Sequence, residues 1–89
     1  MTNIIHFFGE KLADEIERAA LPCQGLLRLA IQDKQLDPNK LTFEELQHVF
    51  NTSLRERLKR FRIQNIDTVV SKMNVELIDN QSIFTIQVN

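Results

Sequence analysis

Residues 41–61 read LTFEELQHVFNTSLRERLKRF, and the fold follows from this stretch. Thr42 followed three residues later by Glu45 has the form of a capping box, in which the Thr42 hydroxyl accepts from the Glu45 amide and the Glu45 carboxylate accepts from the Thr42 amide. Leu41 and Leu46 flank it at the positions of a hydrophobic staple. Phe43, Leu46, Phe50, Leu54, Leu58 and Phe61 then recur at helical spacing with Val49 alongside, so one helix is predicted over about residues 42–61. Asn51, Thr52 and Ser53 are weak helix formers and mark where it would kink or break.

The segments to either side follow the same logic. Ile5, Phe8, Leu12, Ile16, Ala19 and Ala20 lie at steps of three and four and predict a helix over residues 2–20, with Lys11, Asp14, Glu17 and Arg18 opposite. Pro22 suits the first turn of a second helix, where its missing amide hydrogen costs nothing. That helix, residues 22–34, carries Cys23, Leu26, Leu27, Leu29, Ala30 and Ile31 around much of its circumference and is expected to be the most buried. Gly25 inside it costs about 1 kcal/mol relative to alanine, which reads as a site of close helix approach. Asp37, Pro38 and Asn39 form a turn. Ile66, Val69, Val70, Met73 and Leu77 predict a helix over residues 66–79, capped by Asn65 or Asp67.

Residues 82–88 alternate Ile83, Thr85 and Gln87 against Phe84, Ile86 and Val88, a strand pattern. No other segment offers it a partner, so it is expected to pair with another chain or to pack as an extended tail. The fold class is therefore all-α: a small four-helix domain over residues 1–89 with an extended C-terminal β-strand-like segment.

Composition narrows the function. Eighty-nine residues suit one domain, and 43% hydrophobic with 26% charged side chains is an ordinary globular balance. Eleven basic against twelve acidic residues give a net charge of -1, so no whole-molecule field draws in nucleic acid or an anionic membrane. A single cysteine cannot form an internal disulfide, which points to a reducing, cytoplasmic setting. Residues 1–8 lack the basic start of a signal or transit peptide, and no apolar run approaches the roughly 20 residues that cross a bilayer. Six phenylalanines without tryptophan or tyrosine leave Phe, Leu, Ile and Arg to build any interface.

Catalytic signatures are missing from the sequence. Gly9 and Gly25 are the only glycines, so there is no phosphate loop, and His6, His48 and Cys23 fit no nucleophile motif and are too few for four-ligand zinc. No enzyme activity, cofactor or metal is expected. Asp33, Gln35, Asp37, Asn39 and Glu44 fall at positions of a calcium loop resembling an EF-hand, but Pro38 stands where that turn wants glycine and Lys40 where it wants an apolar residue. A degenerate calcium module is accordingly only an alternative.

The binding candidates are two. In the basic run, Arg55, Lys59 and Arg62 share one flank of the apolar stripe and Arg57 and Arg60 the other, a pattern suited to an acidic protein surface. The same cations also suit a helix C-terminus simply by offsetting its dipole. In the strand-like segment, Ile83, Phe84, Ile86 and Val88 could bind a second chain by strand addition. The sequence thus predicts a non-catalytic protein-interaction or assembly module, an adaptor or homodimer. Nucleic-acid binding through the basic stripe is the alternative.

Overall fold

A computed structural model describes residues 3–84 of the chain. The order is α1 (Ile4–Ile16), α2 (Ala20–Asp33), α3 (Phe43–Asn51), α4 (Ser53–Arg60) and α5 (Ile66–Asp79), with no strand among the described residues. The all-α class stands. Five helices replace the expected four because the third breaks where the weak formers lie.

Each boundary has a local cause. Asn3 starts α1 by accepting from the His6 amide at 3.1 Å. The capping box at the start of α3 is complete: the Thr42 amide donates to Glu45 Oε1 at 2.9 Å and the Glu45 amide to Thr42 Oγ1 at 3.1 Å. Leu41 and Leu46 are both buried, as a staple requires. The break after Asn51 is made by two hydroxyls. Thr52 leaves helical geometry at φ -123° and ψ -84° and donates to the His48 carbonyl at 2.6 Å. Ser53, the one buried polar residue among those described, donates across to the Ala30 carbonyl at 2.6 Å and ties α4 to α2. With the axis reset, Leu54 and Leu58 are fully buried.

Three helices end in left-handed residues that are not glycine: Glu17 at φ 55° after α1, Gln35 at φ 59° after α2 and Arg62 at φ 56° after α4. In each turn the following amide returns to the helix, Arg18 to the Ala13 carbonyl at 3.1 Å, Leu36 to Ile31 at 3.3 Å and Ile63 to Leu58 at 3.1 Å. The Glu17 turn ends α1 at Ile16, four residues before the end that the sequence pattern predicts.

The core is one cluster. Phe8 stands edge-on to Phe7 and Phe50, at centroid distances of 5.0 and 5.8 Å, and stacks with Phe84 at 6.5 Å. Around it pack Leu12, Leu27, Ile31, Leu46, Val70, Met73 and Leu77. Ion pairs Lys11–Glu76 and Lys72–Glu15 bridge α1 and α5 at 3.5 and 3.6 Å. They are surface contacts of at most about 1 kcal/mol each.

Two expectations change. Gly25 is not the close-approach site: nothing lies within 4 Å of a Cβ placed there, and its side of α2 is exposed. Gly9 is that site, since its Cβ would stand 2.5 Å from Gln24 Cγ and 3.0 Å from Gln24 Cα. Nor is α2 buried all round, because Leu21 and Leu29 face solvent. As for the strand-like segment, Ser82, Ile83 and Phe84 form a helical turn, and both apolar residues are buried on the bundle. Residues 85–88, with Ile86 and Val88, lie outside the described residues.

Opposite outcomes are therefore expected for the two glycines in a denaturant titration. Gly25→Ala should stabilise by about 1 kcal/mol through helix propensity alone. Gly9→Ala should destabilise by about 1–3 kcal/mol through overpacking against α2. At the left-handed turn far from other features, Gln35→Gly should add about 0.5–1 kcal/mol by relieving the Cβ clash.

Candidate functional site

The basic run that the sequence marks for binding is largely engaged within the molecule. Arg57 lays its guanidinium in two-pronged fashion on Asp33, Nε to Oδ2 at 2.6 Å and an Nη to Oδ1 at 2.8 Å. Arg55 pairs with Asp67 at the start of α5, and Lys59 with Glu56 at 3.6 Å on the same helix. Arg60 and Arg62 are exposed and form no ion pair among the described residues. Of the candidates Arg55, Lys59 and Arg62, only Arg62 remains unengaged.

The calcium frame fares similarly. The Asp33 carboxylate is held by Arg57, Asp37 Oδ1 accepts from the Asn39 amide at 2.9 Å, and no cluster of metal-ligating side chains occurs among the described residues. The arginine beside Asp33 holds its carboxyl below the usual carboxylate range, chiefly through the side-chain hydrogen bond. His6 lies exposed between Gln24 and Glu10, at 3.2 Å from each, and His48 faces solvent. Burial pushes the Cys23 thiol up, opposed by Arg18, so at neutral pH it stays protonated and a poor nucleophile.

A different surface emerges where the α1–α2 turn meets the α4–α5 turn. Ile16, Ala19, Pro22, Cys23, Leu26, Phe61 and Ile63 line an open, mainly apolar groove of about 180 Å³ with Arg18 at its edge. The two left-handed turns shape it: Arg18 follows Glu17, and Phe61 and Ile63 bracket Arg62. Phe61 ends the stripe of α4 yet remains 58% exposed, a large aromatic held out toward solvent. Arg62 and Arg18 also line the adjoining cleft with Glu15 and Glu17, where Glu15 is already held by Lys72.

Sequence reasoning placed Phe61 on the apolar stripe and did not single out Ile16, Arg18, Pro22 or Ile63 for binding, since the groove joins segments 35 or more positions apart. One signal was present, an apolar stripe whose last member, Phe61, stands between Arg60 and Arg62.

The groove's volume lies below the roughly 300–1,000 Å³ of small-molecule pockets and near the size that encloses one ring or branched side chain. It suits a protruding residue of a macromolecule. No protein-family model, curated protein sequence or solved structure matches the chain. No helix among the described residues is long and apolar enough to cross a membrane.

The Asp33–Arg57 pair makes a pH prediction. Because the folded carboxyl titrates lower than the unfolded one, its contribution is present above about pH 4 and fades as pH falls through the folded value. The melting temperatures of the native protein and Arg57→Ala should differ at pH 7 and draw together as the pH falls below the ordinary carboxylate range. A constant gap would mean the arginine acts through packing alone.

Proposed function

We propose that this chain is a non-catalytic protein-interaction module that docks a partner side chain in the groove beside Phe61. The observation that carries this reading is an exposed phenylalanine at the mouth of a cleft sized for one residue, edged by Arg18 and adjoined by Arg62, neither with an acid partner among the described residues. Buried apolar anchors beside arginine are the usual carriers of interface energy. The cleft lies between two turns held by backbone hydrogen bonds, so little ordering is needed when a partner enters.

Pairing through the C-terminal strand remains a second route to the same role, with Ile86 and Val88 as its apolar residues. It is the weaker of the two, because a strand beginning at Ser82 would have to withdraw Ile83 and Phe84 from the bundle. Nucleic-acid binding is disfavoured for a related reason. Arg55, Arg57 and Lys59 already face carboxylates, leaving only Arg60 and Arg62 of the basic run to release counterions from phosphates.

Selection of displayed random peptides against the full chain should enrich sequences with one large apolar residue next to Asp or Glu. Phe61→Ser should weaken the selected peptides by about tenfold or more. Its unfolding free energy should move by less than about 0.5 kcal/mol, as expected for an exposed position. Failure to enrich any binder, or binding indifferent to Phe61→Ser, would remove the groove from the account.

A further inference from the structure

Resting on that docking reading, we infer that the groove's occupant is a second copy of the chain, which inserts the outer face of its α5 at Val75 and Ile78. The large hydrophobic side chains that stand exposed among the described residues fall into two sets. Leu21, Leu29 and Phe61 lie on α2 and at the end of α4, while Val75 and Ile78, 52% and 49% exposed, lie on α5. At about 100° per residue, Val75 and Ile78 share a face with Thr68 and Ser71, opposite the buried Val69, Val70, Met73 and Leu77. Asp79 and Lys72 border that stripe. Val75 and Ile78 are the apolar residues of this face, and among the described residues both stay about half exposed.

The two sets carry opposite charge. Arg18 stands at the groove and Arg62 in the adjoining cleft, neither with an acid partner among the described residues. Glu17 is the opposing charge in the adjoining cleft that has no ion pair. The far end of α5 is the reverse. Its last turn has no basic residue, and Asp79 is exposed and unpaired among the described residues, so carboxylate and helix dipole are both negative. An isoleucine with an aspartate beside it is the kind of element a groove sized for one side chain and edged by Arg18 would take.

A molecule cannot fill its own groove in this way. Asn65, just before α5, lines the cleft beside the groove, whereas Ile78 lies about 20 Å further along the helix. The contact therefore joins unlike patches, the groove of one copy to the α5 end of the next. Such a heterologous contact grows into a ring or an open chain rather than stopping at a symmetric dimer.

Light scattering on two variants tests this. Native protein should gain mass with concentration and lose it with added salt. Phe61→Ser, which damages only the groove, and Ile78→Ser, which damages only the α5 face, should each remain monomeric. Mixed in equal amounts they should form a one-to-one pair and nothing larger, because one intact groove meets one intact face. Asp79→Arg gives a second disruption of the face at an exposed helix end, and circular dichroism confirms that each variant is folded. A native protein monomeric at all concentrations would overturn the inference, as would assembly by Ile78→Ser and Asp79→Arg, or a mixture that never pairs. Monomeric protein that still binds selected peptides in a Phe61-dependent way leaves docking standing and removes the second copy as occupant. Loss of both removes both readings.

Discussion

The close approach of α1 and α2 at Gly9 is the constraint from which the rest of the arrangement follows. With no side chain at that position, the backbone of α1 comes down onto Gln24, where a Cβ would meet Gln24 Cα at 3.0 Å. The approach seats Phe8, one residue earlier, at the centre of the core against Phe50 and Phe84. It also fixes where α1 must stop and the chain reverse, since only three residues separate Ile16 from Ala20. The groove opens beside that reversal.

Polar groups then set the remaining directions. The Thr42–Glu45 box gives α3 a single starting point, and the Thr52 and Ser53 hydroxyls end it and redirect the chain. Since Ser53 bonds to a backbone carbonyl of α2, the placement of α4 depends on α2, and so does the position of Phe61 at the end of α4. Asp33 and Arg57 brace the same pair of helices from the surface. The candidate site is thus built on two turns whose positions are set by the packing of three helices.

Local signals were legible in the sequence and long-range ones were not. The capping box, its staple, the weak stretch at residues 51–53 and the stripe of α5 each involve neighbours within one or two turns, and each appears where the pattern placed it. The end of α1 at Ile16 was missed because the left-handed residue there is Glu17, with no glycine to announce it. The wrong glycine was assigned the close contact, since propensity shows that a helical glycine is costly but not which neighbour lies against it. Arg55 and Arg57 looked free because their acids lie 12 and 24 positions away. The alternation of residues 82–88 signalled a strand, yet Ile83 and Phe84 follow the pull of the aromatic cluster, with Phe84 edge-on to Phe43 at 6.0 Å. The groove was invisible for the same reason as the ion pairs, being assembled from the turns of distant segments.

The account stands or falls on whether two separate surfaces act together. A dilution series followed by amide chemical shifts tests this residue by residue in the unmodified protein. Shifts that grow with concentration should map to two patches, one at residues 16–26 and 61–63 and the other at residues 75–79, with a common binding curve and attenuation by salt. Spectra unchanged by concentration would contradict the account, as would shifts confined to a single self-complementary patch.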